Sequence, residues 1–297
     1  MTPALIYTYW HNDAKDPARD MYSPIIPSIA TFRYFHKDVP IYVIDMEHSD
    51  WGNWPNRLNF KVVQRDWILK KSESRMRKPQ NADLYPQMLS RPEALLWLMN
   101  NIPENIIIHA DSDTIFMKHI FPLFGDLSKI SMTQNIGLFY FDKRESQSQR
   151  FMETWASMCI AGCHSPVIRD EVIQVAHPCP PIFHEEAVSK YILKKFDFKF
   201  SKWSNYENWH LIWFHELSEN ADIDWRLIKM IHLNYHGVQS EIPRERRGKF
   251  FIAIKEPKDV MNEIFTAEEM QHIFKWPHKF EAKSFTDLEY MKGLVKK

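Results

Sequence analysis

Two aspartates stand one residue apart in "ENIIIHADSDTIFMKHI" (104–120), directly after the apolar run Ile106, Ile107, Ile108 and directly before Thr114, Ile115 and Phe116. Asp111 and Asp113 cannot both face a protein core, because burying two unpaired carboxylates costs far more than the strand beside them returns. They must cap a turn or meet a cation. Hard divalent ions such as Mn2+ or Mg2+ take oxygen ligands, commonly one or two carboxylates completed by substrate phosphate oxygens. Ser112, short and polar, keeps the turn between them open to a bulky ligand. The pair therefore reads as a metal site at a strand end, with Asp111 and Ser112 facing whatever the metal brings.

A phosphate bound here must be neutralised by a metal or by cationic side chains. Only 7 glycines occur in 297 residues, and neither G-x-x-x-x-G-K-[ST] nor G-x-G-x-x-G is present. Lys plus Arg and Asp plus Glu both number 38, a balance that argues against a general nucleic-acid binder. The sequence shows neither a signal-peptide pattern nor an apolar run long enough for a transmembrane anchor. Three cysteines are too few for a disulfide framework, so a cytoplasmic setting is expected. Cys159, Cys163, His164, His177, Cys179 and His184 cluster in sequence, but without the C-x2-C pair of zinc sites; buried thiols are the plainer reading.

The elements that must position the aspartates follow from periodicity and turn residues. "ALIYTYW" (4–10), "VPIYVIDM" (39–46) and "FKVVQRD" (60–66) read as strands. Between the first two lies a helix with Ser23 as N-cap and Pro24 at its first position. Residues 70–90 read as a loop. "SRPEALLWLMNN" (90–101) reads as a helix opened by a Ser90/Glu93 capping box with Pro92 in the first turn. Strand, helix, strand, strand, helix, strand is the order of an α/β fold with a mostly parallel sheet flanked by helices. Ligands of such sheets sit beyond the carboxyl ends of the strands, which is where Thr8, Tyr9, Asp45 and the Asp111–Asp113 pair fall. Downstream, 135–142 reads as a strand, 146–159 and 184–196 as helices, and "LIKMIHLNYHG" contains a short strand. A capping box at Thr266 and Glu269 opens a helical tail. One principal domain is expected over 1–240, with a C-terminal helical appendage over 241–297 packed on it.

"IIIHADSDTIF" resembles the D-x-D region of GT-A glycosyltransferases, which use nucleotide-sugar donors and include glycogenin and bacterial galactosyltransferases. Arg91 in "SRPEALLWL" matches the basic residue that opens the helix before the D-x-D strand in that group. "NIGLFYF" is similar to the strand that follows, with Ile136 replacing a small residue. "HEEAVSKYI" is similar to the acid-containing helix start, with Glu185 and Glu186 in place of the expected Asp. "MIHLNYHG" offers His232 and His236 as the third protein ligand to the metal. The group's lysine-proline-tryptophan segment is missing, leaving Arg244, Arg246, Arg247 and Lys249 as candidate diphosphate contacts.

The resemblance implies a GT-A fold and transfer of a sugar from a nucleotide-diphosphate donor, UDP-linked rather than GDP-linked, to a hydroxyl of a glycan or other acceptor. Mn2+ or Mg2+ would be held by Asp111, Asp113 and His232 or His236. Thr8, Tyr9, Asp45, Arg91, Asp111 and Ser112 would face the nucleotide sugar; turn capping and core packing are the other reading of Thr8, Tyr9 and Asp45. Glu185 or Glu186 would serve as acceptor-side base in an inverting enzyme or position the sugar in a retaining one. The aromatic run 202–214, with Trp203, Tyr206, Trp209 and Trp213, is core or an acceptor platform. Two rivals remain: a haloacid-dehalogenase-like Mg-dependent phosphatase, whose first motif "IIHADSDTI" approaches, and a catalytically inactive nucleotide-sugar-binding module.

Overall fold

The computed structural model describes residues 2–9, 25–69, 86–112, 114–116, 118–121, 129–132, 137–176, 183–202, 211–213, 229–232 and 266. Its elements are β1 (Pro3–Tyr9), α1 (Ile25–Phe35), β2 (Ile41–Asp45), α2 (Trp54–Arg57), β3 (Lys61–Gln64), α3 (Pro86–Asn101), β4 (Ile106–Ala110), β5 (Thr114–Phe116), β6 (Ile130–Met132), β7 (Leu138–Asp142), α4 (Ser146–His164), α5 (Pro166–Ala176), α6 (Glu185–Lys195), β8 (Phe200–Lys202), β9 (Leu211–Trp213) and β10 (Met230–His232). The main sheet has the order β3-β2-β1-β4-β7-β6-β8. Its first four strands are parallel, β7 runs antiparallel to both β4 and β6, and β8 is parallel to β6.

Strands β1, β2 and β4 are near-continuous apolar runs because both faces of the sheet are covered. Leu5, Tyr7, Val43, Ile106 and Ile108 pack with α1 residues Ile25, Ile29 and Phe32 on one face. Ala4, Ile6, Tyr42, Ile44 and Ile107 pack on the other with residues of α3, α4 and α6, among them Leu95, Trp155 and Val188. The period of two along each strand thus splits one sequence run between two cores. A small second sheet, β5-β10-β9, lies on the α1 side, where Phe116 and Met230 join the same cluster as Phe32.

The sequence reading needs correction at α3. That helix begins at Pro86, four residues before the expected Ser90 cap, and carries Pro92 in its interior. Ser90 is fully buried and its hydroxyl accepts a hydrogen bond from Leu69 N at 3.4 Å. Glu93 pairs with Arg65 of the segment after β3 instead of reaching back to cap the helix. Tertiary partners have overridden the local signal. The expected loop is thus helical from 86 onward, and 70–85 lies outside the described residues. So do Ser23, Pro24, Glu269 and nearly all of 241–297. The expected C-terminal appendage therefore lies outside the described residues.

Candidate active site

Asp111 is the first residue beyond β4, at the carboxyl end of the central parallel strand. Its amide donates to Gly137 O at 2.7 Å, and its carbonyl accepts from Thr114 N at 3.1 Å, so the chain turns tightly here. Beyond the turn, β5 pairs antiparallel with β10 in a register that sets His232 opposite Thr114. A residue more than a hundred positions downstream is thereby placed beside the aspartate segment. Asp113 and His236 lie outside the described residues, and of His232 only the backbone is described.

The side chains behind Asp111 are charged and buried. Arg91, in the second turn of α3, is 5% exposed and donates from Nη1 to Asp111 Oδ1 at 3.0 Å. The same nitrogen lies 3.6 Å from Oε1 of Glu185, the first residue of α6, itself 2% exposed. Three elements distant in sequence (the end of β4, α3 and the start of α6) so converge on one guanidinium. Buried carboxylates require a partner of this kind. Glu186 pairs with a different cation: its Oε1 accepts from Lys190 Nζ at 2.5 Å in a half-buried i,i+4 pair.

The start of α6 is fastened to α4. Trp155 Nε1 donates to Glu185 O at 2.8 Å, and His184 is the N-cap, its Nδ1 accepting from Ala187 N at 3.4 Å. Phe183 lies so close to Gly162 of α4 that a Cβ at Gly162 would sit 2.0 Å from the ring's Cζ. Absence of a side chain at Gly162 therefore sets how near α6 begins to α4.

Beneath the site lies His109, a fully buried β4 residue two positions before Asp111. Its ring stacks on Phe139 with centroids 4.8 Å apart and makes no hydrogen bond at either nitrogen among the described residues. Burial, with the Arg91 charge nearby, holds it well below the usual imidazole range, so it is neutral. Sequence reasoning missed it; its one signal was a polar residue inside an otherwise apolar strand. Cys159 and Cys163 are buried and unbridged in α4, and burial raises the Cys159 thiol well above its ordinary value.

Asp45 has the geometry of a turn cap. It is fully buried, and its two oxygens accept from Glu47 N, Ser49 N, Ser49 Oγ and Trp51 Nε1 at 2.6–3.3 Å. Thr8 and Tyr9 are buried at 6% and 3%, and Tyr9 meets the Trp51 ring edge-on at 4.8 Å. These residues shape the rim beside the aspartate turn from within. Among the described residues no three His, Cys, Asp or Glu side chains converge as a metal cluster, and none of the helices is long and apolar enough to cross a membrane.

Comparison with known proteins places the fold. No family model and no curated protein sequence matches the chain. Mouse xyloside xylosyltransferase 1, in its apo form, superposes with a TM-score of 0.50 at 10% identity, covering 82% of this chain and 100% of that one. The galactosyltransferase LgtC, solved with donor and acceptor sugar analogues, gives 0.48 at 11% identity over 83% of this chain and 99% of that one. The glycosyltransferase GlyE of Streptococcus pneumoniae gives 0.46 at 12% identity; there the match covers 90% of this chain but 64% of GlyE. The chain has the GT-A-like α/β fold, as the order of its motifs implies.

Proposed function

We propose that the chain is a metal-dependent glycosyltransferase that moves a sugar from a nucleotide-diphosphate donor, UDP-linked in the first instance, to a hydroxyl of a glycan or other acceptor. The supporting observation is the convergence of Arg91, Asp111 and Glu185 at the carboxyl end of β4, where α/β sheets bind ligands, in a fold shared with a xylosyltransferase. Three strands precede β4 in the chain, whereas the rival phosphatase motif sits on a first strand.

The donor set suits a hard divalent ion: carboxylate oxygen at Asp111, a hydroxyl at Ser112, Asp113 next, and His232 brought opposite Thr114 by strand register. When bound, such an ion supplies Lewis-acid stabilisation to the departing diphosphate. Arg91 holds the Asp111 carboxylate in place and brings positive charge to the same corner. In the reaction the bond from the sugar's anomeric carbon to the phosphate oxygen breaks, and one to the acceptor oxygen forms. The acceptor's proton passes to a general base, for which the two glutamates that open α6, Glu185 and Glu186, are the candidates.

Calorimetry with UDP, GDP and their sugars, with and without Mn2+, tests this reading. Mn2+-dependent binding of a nucleotide is expected, and Asp113→Asn should abolish transfer while the circular dichroism spectrum is kept. Wild-type turnover in that variant would sink the assignment, as would absence of nucleotide binding with metal present. Phosphate release from p-nitrophenyl phosphate would favour the phosphatase.

A further inference from the structure

We infer that Glu185 is a positioning residue, acting through Arg91 on Asp111, and not the base that takes the acceptor's proton; this rests on the reading of the site given above. One nitrogen, Arg91 Nη1, faces both acids, at 3.0 Å from Asp111 and 3.6 Å from Glu185. The chain of contacts runs from the surface inward: the Asp111 side chain is 21% exposed, that of Arg91 6% and that of Glu185 3%. A base must come within hydrogen-bond reach of the acceptor hydroxyl, and a carboxylate closed in to this degree has no route to it.

The backbone keeps Glu185 there. Its carbonyl is held by Trp155, its helix is capped by the preceding His184, and Phe183 is lodged against Gly162. Turning the carboxylate outward requires undoing the first turn of α6. Its second oxygen, Oε2, is buried and takes no hydrogen bond among the described residues, and Oε1 faces the guanidinium at 3.6 Å. Glu185 thus fixes the direction of Arg91, and Arg91 fixes the Asp111 oxygen that faces the ligand. Such support for a ligating carboxylate from a residue that never touches the ligand is how metal sites hold their geometry.

The test is a double-mutant cycle in the ligand-free chain, read by thermal denaturation. Asp111→Asn and Glu185→Gln each remove one of the two carboxylates that meet Arg91 Nη1. Because both acids share that nitrogen, the loss in Tm of the double variant should differ from the sum of the two single losses by more than about 1 °C. In an Arg91→Met background the two effects should add to within about 1 °C. Additivity with Arg91 intact would overturn the proposal. The second measurement is UDP binding in Mn2+. Glu185→Gln should weaken it by about tenfold, a change of about 1.4 kcal/mol; Glu185→Asp should restore part of it, and on Arg91→Met the loss should shrink below about twofold. Lost turnover with unchanged Mn2+-supported binding would assign Glu185 as the base and refute the inference. A wild-type chain that binds no nucleotide with Mn2+ would refute the proposed function instead, and the stability cycle would still decide this one. Should Glu185→Gln fail to fold, Glu185→Asp takes its place in both measurements.

Discussion

An arginine and a buried histidine from each face of the central sheet, Arg33 with His36 and Arg91 with His109, are used differently. On the α1 face, Arg33 donates to five backbone carbonyls, those of Leu58, His36, Lys37, Val39 and Asn59. His36 accepts from Ile120 N through Nε2 at 3.1 Å. Both side chains satisfy main-chain groups that would otherwise be orphaned, tying the end of α1 to neighbouring loops. On the opposite face Arg91 meets two carboxylates from distant elements, and His109 stacks on an aromatic ring with neither nitrogen hydrogen-bonded among the described residues. Identical residue types therefore serve the fold on one side and an unfinished polar arrangement on the other. Partner chemistry separates them: carbonyls for Arg33, acids at a strand end for Arg91.

The α1 face gives the largest expected effect. Burial, with His119 and Arg33 nearby, lowers the His36 pKa from 6.5 to about 4. The folded state thus prefers the neutral ring, and the unfolded chain takes up the proton first. Stability must fall as pH drops below about 6.5 and stop falling near 4, by about 2 kcal/mol at pH 5 and about 3 kcal/mol at pH 4. His36→Gln, whose amide oxygen can still accept from Ile120 N, should flatten that limb in urea titrations across this range. An unchanged acid limb would mean that His36 is not the structural ring described here.

On the other face, Gly162→Ala drives a methyl into the Phe183 ring. Overpacking of this kind costs about 1–3 kcal/mol, against which a helical Gly→Ala gain of about 1 kcal/mol is offset. A net loss of up to about 2 kcal/mol is expected by denaturant unfolding. Because Phe183 leads directly into His184 and Glu185, Mn2+-supported nucleotide binding should weaken as well. Stability lost with binding untouched would separate the α4–α6 contact from the site.

How much of this could be read beforehand depends on where each signal lay. β1, β2 and β4 were legible because buried apolar runs of 5–7 residues between turn residues have few other readings, whereas β3 was marked only by the half-buried pair Val62 and Val63. β5, β6, β8 and β9 have three residues each, too few for a period to show, and their pairing is set by the sheet. The Ser90/Glu93 capping box was locally convincing and still wrong, because Leu69 and Arg65 claim those side chains from elsewhere in the fold. Arg91 and Asp111 were legible as types in sequence, but nothing local announced that Glu185 would reach the same guanidinium across 94 positions of chain. Asp45 offered two roles to the sequence; the four hydrogen bonds its oxygens accept describe the turn cap. His109 was invisible as a site feature, since a lone polar residue in a strand ordinarily finds a partner.

That missing partner sharpens the contrast between the faces through the smallest expected effect. A buried ring with two unsatisfied nitrogens is a cost the fold carries, and proteins that keep such a cost commonly do so at functional positions. His109→Leu removes the polar atoms at similar volume, leaving Phe139 to pack against aliphatic carbon. The variant should gain about 1 kcal/mol, a rise of about 2–4 °C in Tm for a chain this size, while donor binding in Mn2+ weakens because the surroundings of Arg91 have changed. Measured together, the two responses should move in opposite directions. A drop in Tm would instead make His109 a structural histidine like His36, and the two faces would then be built alike.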